Sequence, residues 1–549
     1  MKASGNPEVR LLLWAALATI IGGCNSTPYD VSTVFRYNES ANLTSLDPAF
    51  ARTLEPMWVV DQLYDGLVEL DANLKVQPLI AESFYEEEGG TKWVFVLRDD
   101  VHFVAHPDVP GLEQGRRLTA PDVVYSLNRL RDPEVASSGR WILDALDVSS
   151  EGAGLVARGV DTVEFQLKQP FPPFLGLLAT AYANIVAPEA VEHFGADFRR
   201  NPVGSGPFKL AWWLEDVACV LHRHEGYWEH DEASERLPYL DAVHISFAAD
   251  MGAEYQGLLQ GKFDFMSGLH PAYMEELLEV DGTLRGEHAD AIRMVTTPFL
   301  KTDYIGFFVE RTTEEWLPWQ DKAVRNALSL AIDREGIARS LRRGSVVPTH
   351  DFVPPALVGR SAPRPSTFNA ERARNAMDSV ASVHPRPWPA MVLLTTSEYS
   401  DLCAALQHQW EAIGMEVRID VVAPATHRER VANGKAVAFR KSWLADYPDA
   451  ENFLSLFRTT NHAPSGPNYT HYSSRAFDAG LDSAMAEGNA VERTARYDAL
   501  NHMVSEALPL IPLFHDQVTH FVRHGIEGWE INSINRLDLR RVRKTSSEN

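Results

Sequence analysis

The sequence predicts an α/β protein of more than one domain, and three observations carry that reading. At 549 residues the chain is longer than one hydrophobic core organises, and about 150 residues per domain gives two to four. Strand and helix signals alternate along nearly its whole length, with no low-complexity tract and no internal repeat. In the C-terminal half, strand, helix and strand signals follow one another closely enough to form a βαβ unit.

Each element can be justified in turn. "TKWVFVLR" (91–98) is apolar without a break from Trp93 to Leu97 and reads as a more buried strand. "LTAPDVVYSLNRL" opens with Thr119 and Asp122 at capping-box spacing and has Pro121 in the first turn. Val123, Leu127 and Leu130 then recur at helical spacing. "DTVEFQLK" alternates, with Val163, Phe165 and Leu167 on one face and Thr162, Glu164, Gln166 and Lys168 on the other, a half-buried strand. "AVRNALSLAID" gathers Val324, Ala327, Leu328, Ala331 and Ile332 on one helix face.

"MVLLTT" (391–396) then reads as a strand and "SDLCAALQHQWEAI" as a helix, closed by Gly414 as its C′ residue. "MEVRIDVV" alternates Met415, Val417, Ile419 and Val421 as the next strand. A βαβ unit implies parallel strands and a right-handed crossover. "AVAFRKSW" (436–443) supplies a third strand, and "SWLADYPDAENFLSLF" (442–457) overlaps its carboxyl end. Open α/β sheets bind ligands beyond the carboxyl ends of their strands. Location alone therefore makes "LADYPD" a candidate site.

Composition narrows the function. The 45% hydrophobic and 23% charged content is that of an ordinary soluble globular protein. Fifty-one basic against 75 acidic residues give −24, which repels nucleic acid, so no nucleic-acid partner is expected. The acids either form a solvated surface or favour cationic ligands. G-x-S-x-G, H-E-x-x-H and G-K-[ST] are all missing from the sequence, so no catalytic residue and no enzyme activity are expected. Neither a metal nor a cofactor is expected. The "HRH" at His222 to His224 alternates along a strand, as a solvated face or a metal site would. Beyond Cys24 there are only Cys219 and Cys403, too few for a disulfide framework; they either pair or stay as buried thiols.

The amino terminus reads as an export signal. Lys2 and Arg10 precede "LLLWAALATIIGG", an apolar run of signal length that is too short to span a bilayer. Gly22 and Gly23 before Cys24 resemble the lipobox of bacterial lipoproteins. That resemblance implies cleavage after residue 23, acylation of Cys24, and a protein exported to the periplasm or cell surface and held on the membrane by its acyl chains. A plain secretory signal with a chance cysteine is the other reading.

Nine segments, in order, resemble family 5 of the extracellular solute-binding proteins, the peptide and nickel class of bacterial ABC importers. They are "SLDPAF", "LYDGLVELD", "VQPLIAESF", "WVFVLRDDVHF", "LTAPDVVYSL", "NPVGSGPFKL", "AVRNALSLAIDREGI", "WLADYPDAENFL" and "LPLIPLF". The resemblance covers nearly everything after the tether. It implies a periplasmic-binding-protein-like fold (type II, cluster C), with two lobes, an extra satellite domain and a two-strand hinge. The implied divisions are a signal peptide at 1–23 and a lipidated cysteine and tether at 24–35. The main domain of lobe 1 takes 36–65, 200–298 and 508–549, its satellite 66–199, and lobe 2 takes 299–507. Partners would be a short peptide, permease subunits and their cytoplasmic ATPases, with the protein itself a monomer.

The same resemblance nominates a site. Asp446 matches the aspartate that pairs with a peptide's α-ammonium; as an alternative it caps the loop or pairs with an arginine. Asp449 reads as an N-cap for "AENFLSLF". Trp443 and Tyr447 would wall side-chain pockets, or else pack in the core. Arg440 would meet a ligand carboxylate, or else sit in a salt bridge. Thr53 and Leu54 lie where relatives run an extended segment beside the ligand backbone, able to bond it as an added strand would. His515 stands where relatives often place an aromatic. Departures from the family pattern are Phe308 for Asn, Ser205 for Thr and Pro121 for Glu. Within the same fold the ligand would alternatively be nickel, a metal–chelator complex, an oligosaccharide or an opine-like compound. A lipoprotein sensor, an adhesin and an exported hydrolase are the remaining readings.

Overall fold

The computed structural model describes residues 33–545, apart from 271–272, 312–313 and 366. The apolar leader, Cys24 and the tether as far as residue 32 lie outside the described residues.

Two long strands organise the molecule. Ile292–Phe307 and Leu510–Arg523 run antiparallel, paired from Ile292 against Arg523 to Gly306 against Leu510. At one end Leu510–Arg523 also pairs with Phe265–Ser267; at the other, Ile292–Phe307 pairs with Ala438–Leu444. Among the described residues this sheet has seven strands and continues into Met391–Thr395 and Val417–Val421. The ladder between the long strands breaks between Pro298 and Thr302. Pro298 has no N–H to give it.

The first lobe is built on a four-stranded sheet, in the order Val34–Glu39, Ala242–Phe247, Ala218–Arg223, Phe208–Leu214. The first pair is parallel and the others antiparallel. A second, antiparallel four-stranded sheet holds Ala81–Glu87, Lys92–Leu97, Thr162–Gln166 and Leu155–Arg158. Val163, Phe165 and Leu167 are buried, as the alternation requires. The helix Ala120–Arg131 carries the Thr119–Asp122 capping box, and Asp122 Oδ2 accepts from Thr119 N at 2.8 Å.

The "GSG" segment shows why glycine stands there. A Cβ on Gly204 would lie 2.2 Å from Leu63 O, and one on Gly206 2.4 Å from Leu63 C. Only bare backbone lets this loop lie against the end of the helix Leu54–Leu63. Ser205 Oγ then reaches the buried Asp65 carboxylate at 3.1 Å.

In the second lobe, Met391–Thr395 and Val417–Val421 flank the helix Ser400–Glu411 and are parallel, with Met391 opposite Val417. Ala438–Leu444 joins the other side of Met391–Thr395, also parallel. Gly414 turns the chain out of the helix at φ +87°. The helix Lys322–Leu330 buries Val324, Ala327 and Leu328, and Ala331 and Ile332 continue that face. Cys219 lies in the first lobe and Cys403 in the second; both are buried free thiols, so the pairing left open by the sequence does not form.

Candidate ligand-binding cleft

Asp446 lies two residues past the strand Ala438–Leu444, beyond its carboxyl end. It lines a partly open space of about 150 Å³ with Arg52, Thr53, Leu54, Trp141 and Tyr182, all from the other lobe. The sequence candidates Asp446, Thr53 and Leu54, nearly 400 residues apart in the chain, are thus brought to one cavity. Solvent reaches the carboxylate, yet protein surrounds it on most sides. Burial pushes its pKa up, and a hydrogen bond from Asn452 partly offsets this.

Asn452 is held in turn. Trp443 Nε1 donates to its Oδ1 at 2.8 Å, which leaves the amide N–H₂ for Asp446. Trp443 is half-buried in the second-lobe core and makes no wall of this cavity. Its contribution is to orient the residue that touches Asp446. Tyr447 is buried against the first lobe, with its ring 6.0 Å from that of Trp141 and its hydroxyl donating to Glu451. It is an interlobe contact beside the cavity. Asp449 Oδ1 accepts from Glu451 N at 2.8 Å at the start of the short helix Glu451–Leu454. The two acids of the motif therefore part: Asp449 bonds the helix start, and Asp446 faces the cleft.

Two candidates, Arg440 and His515, stand elsewhere. Arg440 is buried in an ion pair with Asp303 at 2.6 Å, and its guanidinium lies 3.0 Å from the centre of the Tyr399 ring. Strand alternation explains this, because Arg440 opposes Ile305 on the crossing strand, well back from the carboxyl end where Asp446 emerges. The salt-bridge reading of Arg440 is the one the geometry matches. His515 is buried between strands; its Nδ1 meets Thr302 Oγ1 at 2.9 Å, and burial lowers its pKa to about 3, so it is neutral. It lies inside the hinge ladder, opposite Thr302. The extended segment expected through Leu54 stops at Thr53, because Leu54 opens the helix Leu54–Leu63. Thr53 is extended, exposed and makes no cap bond with its side chain, so it alone keeps the extended geometry.

The cavity continues along the lobe boundary. A second space of about 440 Å³ shares Leu54 and Trp58 with it, and a third of about 1100 Å³ shares Glu398 and Asp516 with the second. Sequence reasoning did not find Asn452, although it lies six residues past Asp446 in the same motif. Nor did it find Glu39, Glu55 and Glu254 in the second space, which come from three distant segments.

Two lobes joined by a pair of crossing strands, with a lined cleft between them, define a bilobal binding protein. Residues 75–465 match the family described as "Bacterial extracellular solute-binding proteins, family 5 Middle", and the chain belongs to that family. It is a substrate-binding protein of an ABC importer, and the family is one of binding proteins, not of enzymes. The glutathione-binding protein GsiB of Salmonella paratyphi A is 26% identical over 501 residues, covering 89% of this chain and 90% of its own. In structure the chain resembles DppA from Helicobacter pylori in complex with the peptide STSA, with a TM-score of 0.76, 22% identity, and 93% and 98% coverage of the two chains. It also resembles the Escherichia coli murein tripeptide binding protein MppA, with a TM-score of 0.73, 24% identity, and 93% and 98% coverage. Among the described residues no helix is long and apolar enough to cross a membrane.

Proposed function

We propose that this protein captures short peptides in the interlobe cleft by their free amino terminus and delivers them to a membrane permease. One observation carries the reading: Asp446 faces the cavity, raised in pKa by burial, with Asn452 as its side-chain donor and no ion pair to Arg52 or Arg536, which line the same space, Arg536 being held by Asp61 at 3.0 Å. A carboxylate so placed is costly until a counter-charge with donors arrives, and an α-ammonium supplies both. Thr53, extended at the cavity wall, offers the peptide backbone a hydrogen-bond partner. The peptide-bound structural relatives and the glutathione-binding sequence relatives support the same ligand class.

On this reading the hinge at Pro298 to Thr302 lets a ligand that touches both lobes shift the population toward the closed form. On the same reading the main domain of lobe 1 takes 36–65, 200–298 and 508–549, the satellite 66–199 and lobe 2 299–507; the two separate four-stranded sheets support the division within lobe 1, and the seven-stranded sheet runs through both lobes. Export and acylation at Cys24 complete the proposal, placing the receptor on the membrane beside its permease.

The test is a thermal-shift screen of di- to pentapeptides and glutathione against nickel, metal chelates and oligosaccharides. Peptides with a free amino terminus should raise the melting temperature by mass action, and Asp446→Ala should abolish the rise. Stabilisation by a sugar or chelate, with none by any peptide, contradicts the proposal.

A further inference from the structure

The second space of the cleft, about 440 Å³, has a distinct character. Glu39, Glu55 and Glu254 line it with the aromatic rings of Trp58 and Tyr255. Among its described lining residues there is no lysine or arginine. Glu398 and Asp516 also line it, Asp516 being paired with Lys301; the other three acids come from three elements that end at one place: Glu39 closes the strand Val34–Glu39, Glu55 is in the first turn of Leu54–Leu63, and Glu254 is in the first turn of Met251–Leu259.

Acids in a helix first turn are ordinary, because they complement the helix dipole. Glu39 is not explained that way. It ends a strand, it is only 8% exposed, and its Oε1 is buried without a hydrogen-bond partner. Nearby donors are committed elsewhere: Trp58 Nε1 to Asn535 O at 2.7 Å, and Asn38 Nδ2 to Ala248 O at 3.0 Å. Burial first, and then the charges of Glu55 and Glu254, push the Glu39 carboxyl well above its usual range. Burial likewise raises Glu254 to about 7. Among the described residues no group of three or more His, Cys, Asp or Glu side chains is placed to hold a metal ion. The volume is that of an organic group.

We infer that this acidic corner is a second cation subsite, which takes a guanidinium or ammonium carried on a side chain of the ligand. The Glu39 carboxylate would accept from the cation, Glu55 and Glu254 would balance its charge, and the rings of Trp58 and Tyr255 would cover its apolar stem. The inference rests on the peptide reading above and adds a ligand class, basic peptides. It also sets the cleft apart from one suited to an anionic tripeptide such as glutathione, whose carboxylates these acids would repel.

The experiment is calorimetric titration of wild type, Glu39→Gln and Glu254→Gln with alanine tripeptides. Each tripeptide carries one lysine or one norleucine at position 1, 2 or 3, with the amino terminus free or acetylated, and spermidine serves as a cation without a peptide frame. At one position lysine should bind about 10- to 100-fold tighter than norleucine, as expected for one charge-assisted hydrogen bond. That ratio should collapse toward one in both variants and persist under acetylation, which tests Asp446 separately. Tripeptide binding with no lysine preference at any position overturns the subsite. If no tripeptide binds, the peptide reading fails and spermidine decides: stabilisation of wild type that is lost in Glu39→Gln upholds the subsite, and its absence overturns it.

Discussion

The crossing strands and the cleft walls treat buried carboxylates in opposite ways. On the crossing strand, Asp303 is buried, but Arg440 at 2.6 Å and the nearby Lys301 more than offset that burial, and its pKa falls. In the first lobe, the half-buried Asp538 is paired with Arg540, which lowers it to about 2. Across the cleft, Asp446 and Glu39 are raised by burial, and neither is in an ion pair with a lysine or arginine of the described residues. Asp303 and Asp538 are neutralised within the chain, as are the cavity-lining Asp61 by Arg536 and Asp516 by Lys301; Asp446 and Glu39 have no such partner. The difference marks where an outside cation belongs.

Mutation should separate the two classes. Arg440→Met would leave Asp303 with a buried charge and lose its best partner, at a cost of about 3–5 kcal/mol of folding stability, read by chemical denaturation. Asp446→Asn removes no internal ion pair, so the melting temperature of the ligand-free protein should hold or rise. Its affinity for a free-amine peptide should instead drop by about 2–5 kcal/mol. A variant at 446 that unfolds as readily as Arg440→Met would erase the distinction between the regions.

Smaller effects sharpen the comparison. Trp443→Phe keeps the ring in the core but removes the donor that fixes Asn452, so Asp446 loses an oriented partner. Peptide affinity should fall by about 1 kcal/mol, with little change in stability. The smallest effect is in pH dependence. Burial raises the folded-state pKa of Glu254 from 4.5 to about 7, so the native state holds this proton more tightly than the unfolded chain does. Its contribution is greatest below pH 4.5 and is lost as pH rises toward about 7. Glu451, also raised to about 7 by burial, slopes the same way. Melting temperature of the ligand-free protein, measured across that window, should decline less steeply in Glu254→Gln.

Much of this architecture is legible in the sequence, because it is written locally. The βαβ unit over 391–421, the Thr119–Asp122 box and the apolar face at Val324 to Ile332 each lie within one short window. The division between Asp446 and Asp449 is legible for the same reason: Asp449 immediately precedes the helix whose N–H it bonds. What stays hidden depends on long separations. Arg440 meets Asp303 across 137 positions through strand register, which no local pattern encodes. The helix starting at Leu54 departs from the extended segment that the resemblance implied, and no cap bond from Thr53 marks its start. Glu39, Glu55 and Glu254 look like ordinary surface acids until three elements bring them together.

The account stands or falls on the charge that Asp446 receives. The most direct measurement is titration of one tripeptide, with its amino terminus free and then acetylated, against wild type and Asp446→Asn. The predicted result is that acetylation weakens wild-type binding by about 2–5 kcal/mol and barely changes binding to the variant, because each alteration removes one side of the same pair. Equal affinity of wild type for the free and the acetylated peptide would contradict it.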